Sequence, residues 1–356
     1  MSQLNNTLNP QSPLRMPAEW ESQQAAQLTW PQQQSDWETV FSRVEPVFHA
    51  IVAAISNHQK VIIACGNSTD YKRLTHYYSN MANVVIFRVD SEDTWARDHG
   101  PISCYENNRL LLRDFQFNGW GNKYAHQNDN QITQKLNTLN AFGKTNLQAS
   151  NWVLEGGSLE SDGHGTLLTT SQCLLNPNRN PGLSKEQIED KLKQELGFSR
   201  ILWLEHGHLE GDDTDAHIDT LARFCSANSI AYCQASPSDD HFESLNAMEQ
   251  ELRQLRTQDG EPYQLIPLPL PSAQYNDDGD RLPATYANFL VINDAVLLPI
   301  YGVNEDQLAV EQIANAFPNR KIYPINCRPV IEQFGSLHCL TMQIHTEIST
   351  QYTTKC

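Results

Sequence analysis

The chain has 356 residues, with 25 Lys and Arg against 42 Asp and Glu, a formal net charge of −17 with histidine neutral. That balance argues against a general binder of nucleic-acid phosphate, which presents clustered basic residues, and suits a small cationic partner. With 39% hydrophobic residues, the chain is globular and long enough for one large core or two domains.

Residues 1–14 form a polar tail rich in Asn and Gln, without the basic and apolar segments of a secretory signal. Lys60 to Cys65 and Val84 to Val89 read as short buried strands, with a helix over Thr69 to Asn80 between them. A hairpin follows: Pro101 to Tyr105, a turn at Glu106 to Arg109, then Leu110 to Leu112. A second runs from Trp152 to Glu160, turns at Ser161 to Gly165, and returns over Thr166 to Thr170. Leu221 to Cys225 and Ile230 to Cys233 flank a third turn, and Ala287 to Ile292 and Ala295 to Pro299 a fourth at Asn293-Asp294. The Asn, Asp, Gly and Ser of these turns are the residues tight hairpins favour. Helical spacing of apolar residues appears at Lys185 to Leu196, Ser244 to Arg256 and Glu305 to Phe317, so each hairpin is separated from the next by helical or further strand segments. The pattern predicts an array of similar α/β units. Pro181 to Lys185 and Pro262 to Pro271 are breaks that suit a loop or an edge strand, and no linker divides residues 15–356.

No apolar run approaches the roughly 18 residues of a membrane span; the nearest, Leu290 to Ile300, is interrupted by Asn293 and Asp294. The eight cysteines (65, 104, 173, 225, 233, 327, 339 and 356) are widely spaced and form no C-x-x-C pair. They read as reduced thiols of a cytoplasmic protein.

Polar groups recur at matched points beside the hairpins: Trp95 and Asp98 before the first, Glu155-Gly-Gly157 in the first strand of the second, His217 and Asp219 before the third, Asn288 at the start of the fourth, and His338-Cys339 near the end. If the units close into a ring, these groups converge. A cysteine thiolate, a histidine and carboxylates in one pocket suit attack on an electron-poor carbon, and paired carboxylates complement a planar guanidinium. Taken singly, the residues have plainer explanations. Cys339 and Trp95 are also ordinary core residues, and His217 an ordinary structural histidine. Asp212, Asp213, Asp215 and Asp219 also suit a solvated acidic loop, or a metal site with His206, His208 and His217. The spacing fails the calcium-loop template, and neither H-E-x-x-H nor a cysteine pair is present, so no metal is expected.

The chain resembles the agmatine deiminase and bacterial-type peptidylarginine deiminase family of guanidino-group-modifying enzymes. The likeness is carried, in order, by Met16-Pro-Ala-Glu-Trp20, Trp30-Pro31, Asp93-Thr-Trp-Ala-Arg-Asp98, Phe117-Asn-Gly-Trp-Gly121, Leu154-Glu-Gly-Gly157, Asn178-Arg-Asn-Pro181, Gly211-Asp-Asp-Thr-Asp215 with His217 and Asp219, and Gly335-Ser-Leu-His-Cys339. The resemblance implies a five-bladed α/β propeller (pentein) of ββαβ units around a central active-site channel, formed by residues 15–356 as one domain. It implies Cys339 as nucleophile, His217 as general acid and base, Glu155 as its partner, and Asp98 and Asp219 as the grip on the guanidinium. Trp95 and Asn288 are implied to line the substrate pocket. It also implies no cofactor and a homo-oligomer.

The expected activity is hydrolysis of agmatine to N-carbamoylputrescine and ammonia through a cysteine amidino-thioether, a step of putrescine biosynthesis. The nearest alternative is a peptidyl-arginine deiminase; an amidinotransferase and an inactive binder of cationic metabolites are further ones. The lack of a secretion signal and of a downstream domain favours agmatine. Two departures from the family pattern stand near the expected site. Phe334-Gly-Ser-Leu precedes His338-Cys339 where many relatives carry three glycines and Asn-Ile, and Ala216 stands where many have glycine before the histidine.

Overall fold

The computed structural model describes residues 14–348; the polar tail up to residue 13 and Cys356 lie outside the described residues. The fold is mixed α/β and repeats one pattern five times. In each unit two antiparallel strands are followed by a helix, which returns the chain to a third strand parallel to the second.

The first unit pairs Ile102–Glu106 with Arg109–Gln116, then crosses through the helix Ile132–Thr138 to the parallel strand Asn146–Val153. Its turn holds Asn107 and Asn108 at positive φ, 50° and 64°, the geometry a two-residue hairpin demands and asparagine tolerates. Leu14–Arg15 adds an outer strand against Tyr105 and Glu106, so Leu14 belongs to the folded body rather than to the tail. The second unit comprises Glu160–Ser161, Thr166–Thr170, the helix Lys185–Leu196 and the strand Arg200–Leu204. The third comprises Ala222–Ser226, Ser229–Gln234, the helix Phe242–Gln254 and Gln264–Pro269. The fourth comprises Leu290–Ile292, Ala295–Ile300, the helix Asp306–Ala316 and Lys321–Asn326.

The fifth unit joins the two ends of the described chain. Thr341–His345 pairs antiparallel with Gln23–Thr29, and the helix Phe41–Ser56 leads to the parallel strand Lys60–Cys65. A further helix, Ser68–Tyr77, adds Val84–Arg88 as a fourth strand. Val44, Val47, Phe48, Ile51, Val52 and Ile55 bury one face of Phe41–Ser56 at the spacing of an amphipathic helix. Pro46 lies inside that helix, and a proline there hides it from a reading of the sequence.

Local chemistry explains the crossover helices. Lys185–Leu196 starts at a Ser184–Gln187 capping box, buries Ile188, Leu192 and Leu196 on one stripe, and ends at Gly197 with φ of 78°. Prolines 267 and 269 sit in Gln264–Pro269, which is at the edge of its sheet, where a missing ladder donor is tolerated. One expectation is corrected. Trp152 belongs to the last strand of the first unit, and Glu155 lies in the loop after it, not in the first strand of the second hairpin. The two glycines that follow Glu155 break the extended run there.

Candidate active site

Each loop that leads into a hairpin supplies part of one cluster. Trp95 and Asp98 stand before Ile102, Glu155 before Glu160, His217 and Asp219 before Ala222, Asn288 before Leu290, and Cys339 before Thr341. All seven are buried, and His217, Asp219 and Asn288 have no solvent exposure.

The histidine is held first. His217 Nε2 lies 2.8 Å from Glu155 Oε2, and its Nδ1 lies 3.7 Å from Asp98 Oδ1. Nδ1 is buried with no hydrogen-bond partner. Gly157 is what permits this approach: a β-carbon there would come within 2.5 Å of His217 Nδ1 and 2.8 Å of Asp98 Oδ1. Arg179 Nε bonds both oxygens of Glu155, at 3.0 and 2.9 Å, and its other nitrogens reach Asp215 Oδ2 at 2.6 Å and the Thr214 carbonyl at 2.7 Å. Burial alone would raise Glu155, but the bonds from His217 and the Arg179 charge hold its carboxyl below the ordinary value. Burial would likewise lower His217, and the charge of Asp98 with the Cys173 and Glu155 contacts outweighs it, so the imidazole is held well above its ordinary value.

Asp98 accepts from the Gly157 amide at 2.9 Å through Oδ1 and from the Trp120 indole at 3.0 Å through Oδ2. Its pKa is pushed up to about 6 by burial, with Asp219 and Glu155 acting in the same direction against His217. Asp219 accepts from His338 Nδ1 at 2.7 Å through Oδ2, while Oδ1 is buried with no partner. Asp219 Oδ2 is 3.9 Å from Cys339 Sγ. Burial and then the negative charges of Asp219 and Asp98 push the Cys339 thiol well above its ordinary value.

Asn288 holds the nucleophile's loop. Its Oδ1 accepts from the amides of His338 and Cys339 at 2.9 and 3.3 Å, and its Nδ2 lies 3.3 Å from Cys339 Sγ and from the Asp219 carbonyl. Asn288 therefore sits against the loop that carries Cys339, within reach of its sulfur.

Cys339 opens onto a cavity of about 460 Å³, counting its mouth, whose lining includes Trp95, Asp98, Trp120, Phe334 and Gly335 together with Asp36, Asp93, Tyr124 and Asp213. Trp95 is fixed by its indole bond to Asp93 Oδ2 at 2.7 Å, and Asp93 Oδ1 takes the Trp37 indole at 2.9 Å. A β-carbon at Gly335 would lie 2.2 Å from the Trp95 ring, so the loop before Cys339 packs flat on that indole only as glycine. Phe334 and Ala216, the two departures from the family pattern, take left-handed φ of 65° and 63°. A backbone that favours glycine is kept at both while the side chain has changed.

Several residues here were quoted in motifs without a role. Arg179 comes from Asn178-Arg-Asn-Pro181, Trp120 from Phe117-Asn-Gly-Trp-Gly121, and Glu19, which bonds His338 Nε2 at 2.7 Å, from Met16-Pro-Ala-Glu-Trp20. The signal was their presence in the motifs; the partners lie tens to hundreds of positions away and could not be read from spacing. The suggested His206, His208 and Asp212 to Asp219 metal cluster does not assemble. His206 bonds Glu251, His208 bonds Ser244, and Asp212 accepts from Thr214 and Ala216. Among the described residues, Glu155, Cys173 and His217 are one close group of metal-ligating type. Arg179 already occupies both oxygens of that carboxylate and opposes a second cation.

Residues 15–344 match the family model of the Porphyromonas-type peptidyl-arginine deiminases. A Vibrio parahaemolyticus protein provisionally named agmatine deiminase is 32% identical over 95% of this chain and 99% of its own. A solved structure of a provisionally named arginine deiminase from Porphyromonas gingivalis is 47% identical, with a TM-score of 0.87 over 94% of this chain and 99% of that one. The C. jejuni agmatine deiminase, solved as a cysteine-to-serine variant with substrate bound, is 38% identical, with a TM-score of 0.87 over 94% of this chain and 97% of that one.

Proposed function

The chain belongs to the Porphyromonas-type peptidyl-arginine deiminase family, and from that premise we propose that it hydrolyses the guanidinium of agmatine to N-carbamoylputrescine and ammonia. The observation that carries agmatine over arginine is the cavity itself. Besides Asp98, its lining carries Asp36, Asp93 and Asp213, and no Lys or Arg is among its lining residues. A dicationic chain finds carboxylates at both ends, whereas the α-carboxylate of free arginine would meet like charge.

In the mechanism, Asp98 and Asp219 receive the guanidinium nitrogens, each with acceptor capacity left. The incoming cation offsets the two negative charges that hold the Cys339 proton on, so substrate favours the thiolate it needs. The sulfur attacks the guanidinium carbon to give a tetrahedral adduct. His217, held as imidazolium by Asp98 and Glu155, protonates one nitrogen, and the C–N bond breaks to release ammonia. The amidino-thioether is then attacked by water, which gives its proton back to His217. Collapse breaks the C–S bond, expelling the thiolate and leaving the ureido product. Glu155 and Arg179 fix the ring so that Nδ1 faces the reacting atoms, and much of the rate would come from this fixed alignment of charge.

The wider architecture in this reading is a five-bladed propeller, with residues 15–356 as one domain. Five units of one pattern, and a fifth closed by strands from both ends of the chain, support it. The enzyme would work without a cofactor, in the cytoplasm, as a homo-oligomer in putrescine formation. Incubating the purified protein separately with agmatine, arginine and an arginine-containing peptide, without an acceptor amine, tests the assignment by ureido product and ammonia. Turnover of the peptide alone would overturn it, and a requirement for an acceptor amine would make the protein a transferase.

A further inference from the structure

Beyond Asp219 the structure holds a chain of buried polar groups, His338, Glu19 and two arginines, that the mechanism above does not use. Asp219 Oδ2 lies 2.7 Å from His338 Nδ1, and His338 Nε2 lies 2.7 Å from Glu19 Oε2. Each contact requires a hydrogen between nitrogen and oxygen, so the three side chains hold two hydrogens between them. The far end is anchored. Arg223 Nη2 reaches Glu19 Oε2 at 3.0 Å, Arg97 Nη2 lies 3.6 Å from the same oxygen, and Glu19 Oε1 accepts from the Val291 amide at 2.7 Å. Arg223 in turn bonds Glu160 Oε2 at 2.6 Å. Glu19, Arg97, Glu160, Arg223 and His338 are all buried, and none lines the cavity.

This arrangement has a consequence for the substrate. His338 takes one oxygen of Asp219, the one 3.9 Å from Cys339 Sγ, and leaves Oδ1 as a buried acceptor without a hydrogen-bond partner. A free carboxylate could present either oxygen, or rotate; here the imidazole fixes which one is left. The imidazole is itself pinned at its second nitrogen by Glu19, which arrives from the other end of the sequence.

We propose that Glu19 and His338 are positioning residues that aim Asp219 Oδ1 at the guanidinium, so the Met16–Trp20 segment sets amidinium recognition at Cys339. The inference rests on the reading of Asp219 as a guanidinium grip.

The test compares two alkylating reagents at Cys339. With each, the thiolate displaces a halide from carbon, forming a C–S bond. Chloroacetamidine carries a planar amidinium that needs the carboxylates, whereas iodoacetamide is neutral and does not. The ratio of the two rates is read at the Cys339 peptide by mass spectrometry, well below each variant's thermal transition, so that it reports recognition at the folded site. In the unaltered protein the amidine should be strongly preferred at equal thiolate content; if it is not, the guanidinium reading fails and not the positioning inference alone. In E19Q and H338N the ratio should fall at least tenfold, and the agmatine KM should rise at least fivefold. A ratio within twofold of the unaltered protein in either variant overturns the proposal. Loss of the thermal transition in both variants assigns the chain to folding and overturns it as well.

Discussion

His217 and Glu155 meet through Nε2 and Oε2 at 2.8 Å, which turns the histidine's other nitrogen, Nδ1, into a buried atom with no partner, 3.7 Å from Asp98. The pairing fixes the ring's orientation and holds its proton. The single unsatisfied nitrogen is then the one available to a leaving amine. An orphaned buried nitrogen costs on the order of 1–3 kcal/mol, a cost that a fold keeps where a ligand removes it.

Cys339→Ala should abolish turnover while agmatine still binds. In the proposed mechanism the sulfur makes the bond that forms and then breaks, while Asp98 and Asp219 grip the guanidinium. Steady-state ammonia release and calorimetric titration check the two halves. Measurable turnover above a hundredth of the unaltered rate would remove Cys339 from the nucleophile's role.

Gly157→Ala should lower kcat at least a hundredfold. Its methyl group would stand 2.5 Å from His217 Nδ1 and 2.8 Å from Asp98 Oδ1, inside the space that the reacting nitrogen needs. Kinetics with a thermal melt distinguishes this from unfolding: a variant that melts normally and turns over normally would place the substrate elsewhere.

Activity should fall as pH drops through about 6. Asp98 has a folded pKa of about 6, raised from its ordinary value by burial. Below that pH it is protonated and loses its attraction for the guanidinium. Above it the thiol and His217 act in opposite senses: thiolate increases with pH, and imidazolium is kept because His217 is held well above its ordinary value. The optimum of kcat/KM is therefore expected above neutrality, and an optimum below pH 6 would contradict the assignment of Asp98.

Asp213→Asn should raise the KM for agmatine about tenfold and leave kcat within about threefold. Asp213 lines the cavity and accepts from the Tyr124 hydroxyl at 2.7 Å, and the proposed reading assigns its carboxylate to the distal amine of agmatine. A shorter substrate lacking the distal amine should be insensitive to the change. An equal effect on both substrates would refute an interaction with the amine.

Ala216→Gly should stabilise the protein by about 1 kcal/mol, because an alanine at positive φ pays a steric cost that glycine avoids. The φ at Ala216 is 63°. Chemical denaturation measures it, and a loss of stability would mean that the methyl group packs favourably enough to offset the backbone.

Local signals in the chain were sufficient for the four hairpin turns and for three of the crossover helices. The Asn107-Asn108 and Asn293-Asp294 turns, the capping box at Ser184 and the i, i+4 stripe of Lys185–Leu196 are encoded within a few residues, so the hairpins and this helix could be read directly. The helix Phe41–Ser56 was hidden by Pro46, whose ordinary meaning is a helix stop but which here is held by a buried face. The type of chemistry was also legible, since a cysteine, a histidine and carboxylates admit few reactions.

The tertiary structure decided how those groups are used. Asn288 also bonds the loop that carries Cys339, and one oxygen of Asp219 is committed to His338. Arg179 and Glu19 gained roles only when folding brought them against Glu155 and His338. The reason is physical: sequence spacing carries helix and strand periodicity over a few residues, whereas the bonds that orient a catalytic atom join residues up to 319 positions apart. The charge of −17 hinted at a cationic partner, and only the fold shows which carboxylates stand around the cavity and which are spent on holding other side chains in place.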